Sequence, residues 1–172
     1  MDLRTIKEFL KDSIKYIIII FIVLLLVMYV VSLQQVVGPS MNPNYKDGDV
    51  LILNKLHYLL NKPKRFEVAA IKSNNTKYFI KRVIGLPGEH ISYINGILYI
   101  NGVATDEKFT KIDDNKDFKL EDLGYETIPD NYYLVIGDNR ANSQDSRDPK
   151  IGLINKKDFI GKVVIRIWPF RK

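Results

Sequence analysis

Across residues 16–33 the chain carries no charged side chain, and nearly every position is Ile, Val, Leu or Phe. A run of that length matches an α-helix that crosses the hydrocarbon core of a bilayer, which needs roughly 17–25 residues. Before it, Arg4, Lys7, Lys11 and Lys15 alternate with Asp2, Glu8 and Asp12, which reads as a solvated helical lead-in. After it the pattern changes to short apolar runs of strand length at 50–53, 68–71, 78–84, 91–94, 97–100, 132–136 and 163–168. Turn signals separate them: Asp47-Gly48-Asp49, Lys72-Ser73-Asn74-Asn75, Pro87-Gly88, and Asn95-Gly96, the last a strong hairpin signal because both residues accept positive φ. Residues 104–130 are acidic, lysine-rich and low in apolar periodicity, so they read as a surface excursion. The pattern predicts a mainly β fold, antiparallel sheets following one N-terminal transmembrane helix.

A cleaved secretory signal is the competing reading of residues 16–33. Its apolar core is normally about 7–15 residues, and no Ala-x-Ala site follows this one, so a retained anchor is expected. Four basic residues precede the span and the next is Lys46, which keeps residues 1–15 in the cytoplasm and puts 34–172 outside as one domain.

Charge and composition narrow the chemistry. The net charge of +6 is spread along the chain with no arginine-rich arm, which argues against nucleic acid and fits a basic face beside anionic lipid. There is no cysteine, hence no disulfide framework and no thiolate nucleophile. His57 and His90 are the only imidazoles, too few for a histidine metal site, and both read as structural or surface residues.

Three stretches carry candidate chemistry. Ser40 lies in Val37-Gly38-Pro39-Ser40-Met41-Asn42-Pro43-Asn44, where Pro39 fixes its own φ and Gly38 and Asn42, each before a proline, are pushed toward extended backbone. A plain proline-rich turn is the alternative. Lys81 lies in a strand where alternation groups it with Phe79 and Val83, and Arg82 with Ile80 and Ile84, so the pattern does not say which base is solvated. Buried, Lys81 would lose part of its proton affinity and could serve as a general base, which an always-charged guanidinium cannot. Residues 137–148 form a long polar segment after a strand, in which Asp145 and Arg147 could pair.

In order along the chain, Ser40-Met41-x-Pro43, Gly48-Asp49-Val50-Leu51, Lys81 through Glu89, and Gly137-Asp138-Asn139-Arg140 through Ser143, Asp145 and Arg147 resemble the sequence boxes of the type I signal peptidases, in their short single-anchor bacterial form. The resemblance implies an antiparallel β catalytic domain with its apolar face and site at the membrane. It implies Ser40 as nucleophile, Lys81 as general base, Ser143 orienting the amine, and Asp145 with Arg147 as a supporting ion pair. Gly38 and Ser40 would form the oxyanion region, and Met41 would help line a substrate pocket. The implied partners are the signal peptides of exported preproteins, cut after small residues of Ala-x-Ala type, and the lipid bilayer. A monomer in functional contact with the secretion machinery is expected, with no cofactor, metal or nucleic acid.

Gly38 stands where some relatives carry an oxyanion-binding serine, Phe66-Glu67 where a Gly-Asp pair is common, and Ala141 where an Asp is common. The gap between Gly88 and Gly137 is too short for the large second domain of some relatives. The alternatives are a non-catalytic anchored binding protein on the same scaffold, a pilin-specialised peptidase, and a self-cleaving repressor-type protease.

Overall fold

The computed structural model describes residues 3–72, 78–109 and 116–169. Helix α1 (Leu3–Val30) absorbs both the charged lead-in and the apolar run. Its stretch Lys7–Val30 is long and apolar enough to cross a membrane, and none of its hydrophobic window is buried against the rest of the chain. The helix ends three residues earlier than the charge-free run, because strand β1 (Val31–Gln35) takes residues 31–33. β1 pairs antiparallel with β2 (Val50–Asn54) from Val31↔Asn54 to Gln35↔Val50, so ladder bonds replace helical ones there. The helix end is fastened by Lys55, whose N–H donates to Val30 O at 2.8 Å and whose Nζ donates to Met28 O at 3.0 Å. These are carbonyls that the last turn leaves without helical partners.

The short helix α2 (His57–Leu60) follows β2. The remaining strands are β3 (Val68–Lys72), β4 (Tyr78–Gly85), β5 (Ile91–Ile94), β6 (Ile97–Ile100), β7 (Val103–Thr105), β8 (Phe118–Lys119), β9 (Tyr132–Ile136), β10 (Ile154–Asn155) and β11 (Phe159–Trp168). Seven form one sheet in the order β1-β2-β11-β3-β4-β9-β10, and four a smaller sheet in the order β7-β6-β5-β8. Every pairing is antiparallel. The Asn95-Gly96 hairpin forms as expected, with φ of 51° and 77°. The turn expected at 72–75 lies, past Lys72, outside the described residues.

β11 bends the large sheet. Its register shifts three times, between Phe159 and Gly161, Val163 and Ile165, and Arg166 and Trp168. Bulges of this kind raise local twist and bend the strand. Gly161 sits at the closest approach, where an added Cβ would come within 3.0 Å of Asn54 O. The coil brings the edge strand β1 back to face the start of β4.

The reading of 104–130 as surface is corrected. Glu107, Phe118, Leu120 and Ile128 are buried, and the segment supplies β8 and part of the core beneath the small sheet, with Ile84, Leu134 and Ile136. The buried positions are too widely spaced to show a period of 2 or 3.6. His57 lies beside Glu67 and His90 beside Glu121.

Candidate active site

Ser40 is held by its neighbours' backbone. Gly38 takes a φ of 83°, not the extended backbone expected before a proline, and so turns the chain sharply after β1. Its N–H donates to Asp47 Oδ1 at 2.8 Å. Beyond the serine, Asn42 N–H donates to Pro39 O and Tyr45 N–H to Met41 O, closing the bend. The polar segment grips it from the other side: Asn139 N–H donates to Ser40 O at 3.0 Å and Asn139 Nδ2 to Pro39 O at 3.1 Å. Gly137 is needed for that approach, since a Cβ there would fall 2.4 Å from Ser40 O.

Lys81 and Arg82 are both buried, which resolves the ambiguity in the strand pattern: β4 has no solvated face here. Lys81, 4% exposed, places Nζ 2.8 Å from Ser40 Oγ. Burial lowers its ammonium from the ordinary 10.5 to about 8, against the opposing pull of Asp145 and Asp138. Arg82 turns to the opposite face and forks onto Asp138, with Nε to Oδ1 at 2.7 Å and Nη2 to Oδ2 at 2.6 Å. Its plane lies 4.0 Å from the Phe109 ring centroid, and Nη1 donates to Phe66 O. Asn44 Nδ2 reaches Asp138 Oδ2 at 2.7 Å, so this ion pair also braces the serine bend.

The expected pair forms, with Arg147 Nε donating to Asp145 Oδ1 at 2.9 Å. Asp145 Oδ2 accepts Gly137 N–H, and Arg147 Nη2 donates to Arg140 O. Ser143 stands otherwise than expected: its buried Oγ has no hydrogen-bond partner and does not bond the lysine amine, lying instead against Gly137. Met41 is also corrected. It is fully buried among Val36, Leu51, Val68 and Ile80, packing under the site and not into a pocket wall.

Sequence reasoning missed the Arg82–Asp138 pair and the Asn139 bonds, and it missed a further support. Arg140 Nη1 and Nη2 bond Glu107 at 2.9 and 2.7 Å, Nη1 also meets Tyr93 Oη at 2.7 Å, and Nε holds Gly137 O at 3.1 Å. Gly137 is thereby gripped at its N–H by Asp145 and at its carbonyl by Arg140. The three Asp and two Arg of residues 137–148 hinted at such a network, whereas nothing in the sequence marked Glu107.

A groove of about 590 Å³ opens over Ser40 and Lys81. One wall is residues 34–39, continuing edge strand β1, and the other is Tyr78, Phe79 and Ile80 of β4, with Asn142 and Gln144 at one end. Ser143, Asp145 and Arg147 border a separate cavity of about 450 Å³. β9 pairs with β4 only from Arg82 onward, so the Tyr78–Lys81 edge of β4 faces the groove. Among the described residues no cluster of His, Asp or Glu could hold a metal ion.

Fold and site together define a β-sheet domain on an apolar N-terminal helix, with a hydroxyl and a buried amine in contact at the floor of a groove. The signal peptidase family, peptidase S26, matches residues 7–168. The chain is 39% identical to signal peptidase I of Bacillus caldolyticus over 154 residues, 84% of each chain. It is 34% identical to signal peptidase IB of Staphylococcus aureus strain Mu50 over 178 residues, 95% of this chain and 92% of that one. The crystal structure of a signal peptidase I from Enterococcus faecalis V583 superposes with a TM-score of 0.53 at 36% identity, covering 60% of this chain and 98% of that one. The chain belongs to the signal peptidase family, peptidase S26.

Proposed function

We propose that the chain is a membrane-anchored signal peptidase I, a serine endopeptidase that removes the signal peptides of exported preproteins with Ser40 as nucleophile and Lys81 as general base. The observation that carries this reading is the 2.8 Å contact between Lys81 Nζ and Ser40 Oγ. Burial keeps a useful fraction of that amine neutral near pH 8. The neutral amine takes the Oγ proton as Oγ attacks the scissile carbonyl carbon. The resulting ammonium then gives that proton to the leaving amine, the C–N bond breaks, and an acyl-Ser40 ester remains. Water, deprotonated by the same amine, hydrolyses the ester and restores the pair.

The tetrahedral oxyanion would be met by the Ser40 backbone N–H. Gly38 offers no hydroxyl, and its N–H is committed to Asp47. A preprotein segment would lie extended between residues 34–38 and 78–80, where strand edges on both sides can bond its backbone. The walls near the serine, Val36, Val37 and Ile80, are apolar, which suits small apolar side chains of Ala-x-Ala type. The basic lead-in supports a cytoplasmic N-terminus with residues 34–172 on the outer face. There the domain would work as a monomer receiving substrates from the secretion machinery.

The test is cleavage of an Ala-x-Ala peptide by detergent-solubilised protein across pH. Cutting after the second alanine is expected, lost in Ser40→Ala and in Lys81→Ala. Turnover retained by either variant would sink the dyad.

A further inference from the structure

Asn44 closes the serine bend and takes no part in the groove walls, yet its polar groups reach three other parts of the fold. A side-chain amide carries two N–H donors, and here both are used. Nδ2 donates to Asp138 Oδ2 at 2.7 Å and to Phe109 O. The Asn44 carbonyl accepts from Arg166 Nη1 of β11 at 3.2 Å. Arg166 also meets Asp49 Oδ2, which accepts Lys46 N–H, so the downstream end of the bend is held from both sides.

Two of these partners lead to the buried amine. Asp138 is forked by Arg82, the residue after Lys81 in β4, and the Phe109 ring lies over the same guanidinium. Asn44 therefore bonds a carboxylate and a carbonyl that are both fixed against the strand carrying Lys81. Asn139, next to Asp138, holds Ser40 O and Pro39 O. The bend is thus fastened to residues 138–139 at two points, near Ser40 and at Asn44. Fastening near Ser40 alone would let the bend pivot about the Ser40 carbonyl and swing Oγ away from Lys81. The second point removes that rotation.

Resting on the reading of Ser40 as nucleophile and Lys81 as base, we propose that Asn44 is a positioning residue, which fixes the bearing of Ser40 Oγ on Lys81 Nζ by tying the bend to Asp138. It touches neither the substrate nor the reacting atoms, so its loss acts on the chemical step and not on binding. A residue that merely fastened the loop would add stability and leave the turnover of the folded enzyme unchanged.

The test uses the full chain in detergent on an Ala-x-Ala peptide, as parent and as Asn44→Leu, with Ser40→Ala and Lys81→Ala beside them. Leucine keeps the shape of Asn44 and removes both donors. A misplacement of about 1 Å can cost about 10²-fold in rate. In Asn44→Leu, kcat is expected to fall at least about 10-fold while KM stays within about twofold of the parent. Near-UV circular dichroism and urea midpoints show whether the variant is folded under assay conditions. Asn44→Ala, which lacks the branched bulk of leucine, carries the same expectation where Asn44→Leu does not fold. Parent kcat in a folded variant, even one with a lower urea midpoint, overturns the inference, and so does a loss confined to KM. Turnover retained by Ser40→Ala or Lys81→Ala sinks the dyad reading and the inference with it. Where both of those are inactive and Asn44→Leu turns over like the parent, the dyad stands and only the role of Asn44 falls.

Discussion

At the scale of single residues, Lys81 couples the site to stability through its proton. Its folded pKa of about 8 lies below the 10.5 of an ordinary lysine, because burial penalises the charged form. Below pH 8 both folded and unfolded chains hold the proton, and the folded state bears the full cost, about 3 kcal/mol at roughly 1.36 kcal/mol per unit. Between about 8 and 10.5 the unfolded chain binds more protons, so stability rises with pH. Lys81→Met is accordingly expected to be inactive yet more stable than the parent at pH 7, with the difference closing by pH 10.5. Urea midpoints across that range check it, and a variant less stable at pH 7 would contradict it. Gly137 makes the second residue-scale prediction: Gly137→Ala pushes a methyl against Ser40 O and Ser143 Oγ, at 2.4 and 2.2 Å. A loss of at least about 10²-fold in kcat/KM is expected from the displaced nucleophile. The sequence marked both Ser40 and Lys81 as chemistry, but a period of two could not say that Lys81 faces inward, because Arg82 is buried too.

At the scale of elements, the polar segment after β9 works as a brace because two of its charges, Asp138 and Arg140, have partners in other parts of the fold while Asp145 and Arg147 pair within it. Arg140 meets Glu107 and Tyr93 of the small-sheet side, all three buried, and Asp138 meets Arg82 of β4. Glu107→Ala leaves the Arg140 guanidinium buried without its carboxylate, and a loss of about 3–5 kcal/mol is expected in urea unfolding. A loss under about 1 kcal/mol would show that the pair carries little. Phe66 adds a smaller point: it takes a φ of 66°, a strained value for a non-glycine, where relatives often carry glycine. Its ring packs tilted against Phe109, centroids 5.0 Å apart, and its carbonyl receives Arg82. The strands themselves were legible, since runs at 50–53, 68–71, 78–84, 91–94, 97–100 and 132–136 all form where alternation or a short apolar run puts them. β1 was not, because Val31 and Leu33 continue an apolar run that reads as helix, and only pairing with β2 makes them strand. Glu107 was equally hidden: its burial depends on Arg140, 33 residues away, and no local pattern reports a long-range ion pair.

At the scale of the whole molecule, anchor and domain are joined by few bonds. The apolar window of α1 is unburied, and what ties its end to the domain is Lys55 on Met28 and Val30 plus the continuation into β1. A chain starting at Val31 therefore keeps the large sheet complete, including the wall of the groove that β1 extends. It is expected to melt within about 8 °C of the full chain, since among the described residues the lost contacts to the domain are two hydrogen bonds from Lys55, each of roughly 1 kcal/mol. Cleavage of a soluble Ala-x-Ala peptide should be unchanged within about twofold, because the Ser40–Lys81 contact and the groove owe nothing to α1. Cleavage of a precursor embedded in vesicles should instead fall by about 10²-fold or more, as the truncated chain loses the effective concentration that a shared membrane provides. Comparing the two substrates separates the roles. Equal losses on both would mean that α1 shapes the site, whereas a loss confined to the vesicle substrate assigns it to delivery alone.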